Sequence, residues 1–355
     1  MRGGCRIGDR VSCGTLDRVR CWVLLVALAG CERKIGPPVE PPMEAPSASA
    51  AKPAEAICRA QPPTTLGGTP GSLSLVVAAD RALVLDVVPK AGCPRFALET
   101  TRFDAKTTDG PLAVTKGDAG LPEERLVSPP CPAAGRLVGP AVTLHRAASW
   151  ALDGAGGASV FATMQDGGSK SPVLLEKTTA SVSELVMAGG ESLVASAYVV
   201  GDDLHVVRLG SAGVFGEIHV IPHARGAALA FDGDTLFLAY GEGEARPHAV
   251  FVATWPKAAP TPSKAAPLGI RAVATRVAAG MGQVGLAWET VDAKGLHRVH
   301  VGASRRSLAA ASTLAIELDG DARRPALARG DGPFYVAYWS ESGAPTVVGR
   351  TVACD

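Results

Sequence analysis

Five segments of the chain share one pattern, and this repeat constrains the fold more than any other feature. Each segment has a strand of small residues, a turn containing Gly or Asp, and a second strand that closes on an alanine. The closing alanines are 35 to 50 residues apart: Ala162, Ala197, Ala239, Ala287 and Ala337. In four of the five segments an aromatic residue follows: Tyr198, Tyr240, Trp288 and Tyr338. Such self-similarity predicts one structural unit per repeat, which buries its faces only by stacking on its neighbours.

Each pair of strands is followed by a third with β-branched residues, such as "LHVVRLG", and by a shorter fourth, such as "TLAIELDG". No stretch has a sustained helical period, so the sequence predicts an all-β fold. The pattern resembles a β-propeller of six or seven four-stranded blades, because "LSLVVAADRALVLDVV" starts a further unit and the segment 107–140 is either an insertion or a degenerate seventh blade. A pair of two-sheet sandwiches is the alternative, because it shares these strand and turn signals.

The ends of the repeat region suggest how the fold closes. The last unit has three strands and reaches Cys354 without a fourth, whereas residues following Cys58 are placed to supply one. Covering an edge strand in this way prevents aggregation. We therefore predict a disulfide between Cys58 and Cys354, and a second between Cys93 and Cys131, with the N- and C-terminal strands closing the propeller.

The N-terminus carries the pattern of an export signal. Five arginines precede the ten-residue apolar run "CWVLLVALAG", which is too short to span a membrane stably. The sequence Leu28-Ala29-Gly30-Cys31 resembles the lipobox of bacterial lipoproteins. That resemblance implies that Cys31 becomes the first mature residue and carries a diacylglycerol and an N-acyl chain such as palmitate. An ordinary cleaved signal followed by a chance cysteine is the alternative.

These observations predict three regions: a lipoprotein signal peptide over 1–30, a lipidated tether rich in Pro and Ala over 31–57, and a β-propeller domain over 58–355. The tether has no apolar periodicity and favours extended polyproline II. Anchoring through Cys31 would place the protein in the bacterial cell envelope. Glu32 follows Cys31 where an aspartate marks inner-membrane retention in some bacteria, which favours the outer membrane.

Charge argues against a nucleic-acid partner. The formal net charge is +1, and removing the five N-terminal arginines, Asp9 and Asp17 leaves 30 basic and 32 acidic residues. A nearly neutral chain has no electrostatic attraction to a phosphate backbone. We therefore expect no nucleic-acid partner. We also expect a monomer whose contact with the membrane is made through the lipid on Cys31.

Motifs for catalysis, metals and cofactors give little support to an enzyme. The stretch Gly280–Gly285 matches G-x-G-x-x-G but joins two strands of a repeat, so it is predicted to be a hairpin turn. His219 with His223 and His297 with His300 are interpreted as ordinary strand or loop histidines, not as a zinc site. The D-G-D triplets at 232–234 and 319–321 are predicted to be tight turns. We expect no metal and no cofactor.

Four arginines precede the closing alanines by 11 to 16 residues, at the start of the innermost strand of their units: Arg146, Arg225, Arg276 and Arg324. In a ring they would gather at one mouth of the channel, where guanidinium groups bind carboxylate or phosphate. Solvated arginines are the alternative. Glu184 takes the equivalent place in the remaining unit, which argues against a uniform anion site.

Two classes of function remain. The first is a lipid-anchored envelope protein without catalysis, which binds a protein, a glycan or an envelope component through a propeller face. The alternative is a glycan-active hydrolase or lyase with its site in the central channel. The fold class hosts both, so it does not decide between them.

Overall fold

The computed structural model describes residues 58–66, 136–143, 147–164, 172–210, 213–305, 307–318, 320–329, 332–343 and 345–354, together with strands within 74–114. The chain divides into Met1–Pro53 and Ala54–Asp355, and all described residues belong to the second unit. The predicted signal peptide, the tether and Cys31 lie outside the described residues, as do Cys93, Cys131 and Arg146.

The described residues form six antiparallel sheets, which we number I to VI along the chain. Sheet I contains β3 (Ser74–Ala78), β4 (Arg81–Pro89), β5 (Phe96–Asp104) and β6 (Ala113–Val114). Sheet II contains β7 (Arg136–Thr143), β8 (Ala147–Gly154), β9 (Gly157–Met164) and β10 (Val173–Thr178). Sheet III contains β11 (Val182–Gly189), β12 (Val194–Val200), β13 (Asp203–Gly210), β14 (Gly213–Val214) and β15 (His219–Ile221).

Sheet IV contains β16 (Ala224–Asp232), β17 (Thr235–Glu242), β18 (His248–Pro256) and β19 (Ala266–Ala272). Sheet V contains β20 (Ala274–Gly280), β21 (Gln283–Val291), β22 (His297–Ser304) and β23 (Ile316–Glu317). Sheet VI contains β24 (Ala322–Arg329), β25 (Phe334–Ser340) and β26 (Thr346–Cys354), joined by β1 (Cys58–Ala60) and β2 (Thr64–Thr65).

The sheets follow one another in a propeller-like order. Strands within each of sheets I to V pair in sequence order, except that β15 of sheet III pairs with β13. The first strand of one sheet packs beside the first strand of the next, from β7 through β11, β16 and β20 to β24 and then β3. The prediction of an all-β fold is confirmed. Closure into a complete ring and a blade number of six or seven remain predictions, because most of the segment 107–140 lies outside the described residues.

The repeated alanine and aromatic residue form a small-to-large pair across each interface from sheet III to sheet VI. Tyr240 of sheet IV packs in the same buried cluster as Ala197 of sheet III, and Trp288 of sheet V in the same cluster as Ala239 of sheet IV. Ala287 and Tyr338 repeat this arrangement. Successive side chains of a strand point to opposite faces, so the alanine faces the next sheet and the aromatic ring faces the preceding one. A methyl group leaves the space that the incoming ring fills.

Ala162 shares a cluster with Tyr198, but it lies on β9, the third strand of sheet II, whereas the other closing alanines lie on second strands. The predicted alignment of the first repeat is therefore wrong by one strand, because the sequence pattern did not reveal β7 as the first strand of that sheet.

The predicted closure of the last sheet is confirmed. Strands β1 and β2 both pair with β26, and Cys58 lies directly opposite Cys354 in the register. The two cysteines form a disulfide across 296 residues of sequence, with their Cα atoms 4.1 Å apart. The pairing of Cys93 with Cys131 remains a prediction.

One short helix interrupts sheet V. Helix α1 (Leu308–Thr313) lies between β22 and β23, and the hydroxyl of Ser307 accepts a hydrogen bond from the backbone N–H of Ala310 at its start. A methyl group added to Gly302 of β22 would lie 2.0 Å from the carbonyl oxygen of Ala311. The helix therefore packs directly on the strand only because residue 302 has no side chain.

Candidate functional site

Irregular first strands mark one end of the sheets. The pairing register shifts near the start of β11, β16 and β24, and the residues at these shifts have left-handed backbone: Glu184 (φ 52°), Gly226 (φ 63°) and Arg324 (φ 49°). Such a bulge leaves one residue unpaired and redirects side chains locally. We call this end of the sheets, where first strands begin, second strands end and third strands begin, the bulge face.

Two glutamates link neighbouring sheets at this face. The backbone N–H of Gly226 in sheet IV donates to Glu184 Oε2 of sheet III over 2.6 Å. The backbone N–H of Arg324 in sheet VI donates to Glu289 Oε2 of sheet V over 2.8 Å. Each carboxylate thus satisfies an N–H group of a bulge on the following sheet, which would be costly to bury unpaired.

Glu289 also pairs with a histidine of its own sheet. It is buried, with 2% of its surface exposed, and its Oε1 lies against Nδ1 of His297. The backbone N–H of His297 donates to Asp321 of sheet VI over 3.0 Å. These contacts place two acids, one histidine and the Arg324 bulge together at the junction of sheets V and VI.

Three of the four predicted arginines lie at the bulge face, on the first strands of sheets IV, V and VI. The Nη2 group of Arg225 donates to Asp202 Oδ1 over 2.9 Å. Arg276 is partly buried and donates to the carbonyl of Thr275; burial lowers the pKa of its guanidinium, and the charge of Glu289 acts in the opposite direction. Arg324 is exposed. Binding of an anion by these arginines remains a prediction.

His248 was not recognised from the sequence as a candidate. It begins β18 at the bulge face and has 5% of its surface exposed. Among the described residues, neither of its ring nitrogens has a well-formed hydrogen bond, although the Gly243 carbonyl is close enough to act on its pKa. Burial lowers the pKa of His248, and the charges of Arg246 and Arg225 lower it further, whereas Gly243 and Glu184 raise it. No periodicity marks this residue, because its environment comes from two other strands and a loop.

The remaining motifs singled out in the sequence lie in turns or pack against aromatic side chains. Gly280-Met281-Gly282 forms the turn of the β20–β21 hairpin, as predicted, and Asp232 to Asp234 form the β16–β17 turn. His219 packs edge-on against Trp255, and His300 stacks on Trp288. Within the part of the chain that the structure describes, no group of three or more His, Cys, Asp and Glu is arranged to hold a metal ion. No helix among the same residues is long and apolar enough to cross a membrane.

Comparison with known proteins gives a likeness of fold. No family model and no curated protein sequence matches the chain. A protein of unknown function from Dyadobacter fermentans is 11% identical, with 84% of this chain and 99% of that chain covered and a TM-score of 0.52. The β-propeller domain of the Trilobed protease from Pyrococcus furiosus is 8% identical, with 78% and 79% covered and a TM-score of 0.39.

An exo-1,5-α-L-arabinanase from a bovine ruminal metagenomic library is 10% identical, with 82% of this chain and 98% of that chain covered and a TM-score of 0.40. At these identities the likeness concerns the arrangement of strands. This chain is similar in fold to the Dyadobacter fermentans protein, and its activity has to be argued from its own residues.

Proposed function

We propose that this is a glycan-directed protein, which recognises a glycan bearing carboxylate groups at the bulge face. The observation that carries the proposal is the row of arginines at this face, because the first strands of three successive sheets each place one there: Arg225, Arg276 and Arg324. Donors repeated from sheet to sheet are suited to a ligand that is itself repetitive, such as a polysaccharide. Guanidinium groups bind carboxylates through directed, charge-assisted hydrogen bonds.

Cleavage of the bound glycan is the second candidate function. Its support is that two carboxylates, Glu184 and Glu289, belong to the same face, and glycoside hydrolysis uses a pair of carboxyl groups. Each already accepts a backbone N–H, which gives it a structural role as well. A lyase reaction on an acidic glycan would need a base at the same face, and His248 is the residue of suitable type.

The test is a panel of acidic and neutral polysaccharides of matched length, incubated with the purified full-length protein. Calorimetry measures binding, and release of reducing or unsaturated ends measures cleavage. We expect acidic members to bind and Arg324→Gln to weaken that binding about three- to tenfold through loss of one charged donor. Lys264→Gln, which removes an exposed charge at the opposite end of sheet IV, is the matched control.

Three outcomes separate the candidates. Binding of acidic glycans without new chain ends supports recognition alone, and new ends that disappear in Glu184→Gln support cleavage. Equal binding of neutral and acidic glycans, or none at all, contradicts the proposal.

We also propose that a lipid on Cys31 anchors the protein in the cell envelope, at the outer membrane. The support is the lipobox-like sequence alone. Metabolic labelling with a palmitate analogue should mark the wild type and leave Cys31→Ala unlabelled. An unchanged membrane fraction in Cys31→Ala would contradict the anchor.

A further inference from the structure

The first step is a comparison of two histidines at the bulge face. His248 begins the third strand of sheet IV, and His297 begins the third strand of sheet V. Two residues after the closing alanine, sheet V has Glu289, which pairs with His297. Sheet IV has Gly241 at that position, and a methyl group added there would lie 2.6 Å from Cβ of His248. The acid that serves one histidine is therefore missing beside the other.

The second step is that buried hydrogen-bonding atoms remain unused around His248. Its ring nitrogens and the Nε of Arg225 are buried and, within the described residues, without a well-formed partner. Buried polar groups in folded proteins are almost always paired, so a cluster of unpaired ones points to water or to a ligand. Arg246, at 62% side-chain exposure, lies on the loop that precedes His248.

The third step is that the acceptors nearby are already engaged. Glu184 Oε2 accepts from the N–H of Gly226 over 2.6 Å, and Glu184 Oε1 lies 3.7 Å from Nη2 of Arg246. Asp202 Oδ1 accepts from Nη2 of Arg225 over 2.9 Å. An unused guanidinium N–H and an unused imidazole N–H beside engaged acceptors favour a ligand that supplies acceptor oxygens.

Three further charged groups lie on neighbouring elements. Each already has a partner, so none of them supplies an acceptor to His248 or Arg225. Glu242 of β17 interacts with the hydroxyl of Tyr240, and it raises the pKa of Tyr240 to about 12 together with burial, which has the larger effect. Arg271 of β19 donates to the carbonyl of Pro247 over 2.7 Å. Asp203 of β13 accepts from the backbone N–H of His223.

We propose that His248, Arg225 and Arg246 form a carboxylate-binding subsite between sheets III and IV, which takes the acidic group of a uronic acid residue. This inference rests on the proposed glycan function, because a sugar acid is the carboxylate that such a glycan carries. The ligand carboxylate takes the role that Glu289 has beside His297.

Proton uptake is the signature of this subsite. Burial, which has the largest effect, and two guanidinium groups lower the pKa of His248 below its ordinary value of 6.5, so the ring of the free protein is neutral at pH 7. A bound carboxylate raises that pKa and the ring gains a proton, so the complex binds protons more tightly than the free protein. Affinity therefore rises as the pH falls, within the window between the pKa of His248 in the free protein and its pKa in the complex.

The experiment measures binding of D-glucuronate and of D-glucose to the full-length protein by calorimetry between pH 5.5 and 8. Buffers of different ionisation enthalpy report the protons taken up. We expect glucuronate to bind, with affinity rising by up to about tenfold per pH unit as the pH falls and with uptake of up to about one proton. Glucose should not bind measurably.

Two variants make the test specific. His248→Gln should abolish proton uptake and the pH dependence, and Arg246→Gln, at an exposed position that does not threaten folding, should weaken glucuronate binding about tenfold. Lys264→Gln and the exposed His223→Asn are the matched controls and should behave as wild type. If His248→Gln does not fold, the proposal is still tested by the affinity of Arg246→Gln for glucuronate and by the number of protons that the wild type takes up on binding.

Failure of this inference differs from failure of the proposed function. Polysaccharide binding without proton uptake, or glucuronate binding unaffected in Arg246→Gln, overturns the subsite and leaves the glycan proposal standing. If the protein binds glucuronate with uptake of a proton but binds no polysaccharide, the subsite stands and the glycan proposal is contradicted. No glucuronate binding at any pH also overturns the subsite.

Discussion

At the scale of single residues, Arg208 shows how a buried charge is held when no carboxylate among the described residues pairs with it. Only 2% of its surface is exposed, and its guanidinium lies 4.0 Å from the ring centre of Trp255 and 5.2 Å from that of Phe215. Its Nη atoms donate to the carbonyls of Pro256 and Ala259 over 3.0 and 2.9 Å. Aromatic faces and carbonyl dipoles thus replace a counter-ion.

Replacing Arg208 by methionine should lower the free energy of unfolding by about 2–4 kcal/mol, because buried carbonyls lose a charged donor. Lysine should not restore it, since a single ammonium lacks the guanidinium fork. Urea unfolding gives the measurement. Arg271→Met is the control, because Arg271 also donates to a loop carbonyl but is exposed; an equal loss in both variants would contradict the role of burial.

Three histidines make stability depend on pH. Burial lowers the pKa of His219, His248 and His300 below the ordinary 6.5. As the pH falls through 6.5, the unfolded chain gains protons that the folded protein does not, so the free energy of unfolding falls until the folded pKa values are passed.

We expect His300→Gln to make this decrease shallower between pH 7 and 5. Denaturant unfolding at several pH values measures the slope, with His223→Asn as a control at an exposed position. A slope unchanged in His300→Gln would show that His300 does not contribute.

At the scale of strands, the alanine and the aromatic residue determine how closely two sheets approach. Ala239 is fully buried and Trp288 is 5% exposed, within one cluster. Ala239→Val should cost about 1–3 kcal/mol, because added methyl groups overpack the interface with Trp288. Thermal or urea unfolding measures it. Ala266→Val on the exposed part of β19 should change stability by less than about 0.5 kcal/mol, and a similar loss at both positions would contradict the pairing.

The same strands show what the sequence predicts and what it leaves out. The Ala-aromatic repeat of sheets III to VI, the Gly280–Gly282 turn and the partner strand of Cys354 could be predicted, because each depends on local spacing or on the order of units. The environment of His248 could not be predicted from the sequence. It is formed by Gly241 on the neighbouring strand, Glu184 on another sheet and the loop that contains Arg246. The sequence carries one local indication that this region differs: Glu184 occupies the position at which the other units have an arginine.

At the scale of the molecule, one disulfide joins residues that are 296 positions apart. The double variant Cys58→Ala/Cys354→Ala should lose about 2–5 kcal/mol of stability, since the reduced unfolded chain has more conformational freedom. Non-reducing peptide mapping checks the bridge, and denaturant unfolding of wild type and variant gives the energy. Equal midpoints for the two proteins would contradict a stabilising clasp.

The pairing of β1 with β26 also sets an order of events during synthesis. Chains are made from the N-terminus, so β1 leaves the ribosome long before its partner strand exists. A chain that stops before residue 346 would keep an unpaired thiol at Cys58 and an open edge at β25. The last sheet is therefore complete only when the chain has been made as far as Cys354, because β26 then covers the edge of β25 and brings Cys354 opposite Cys58.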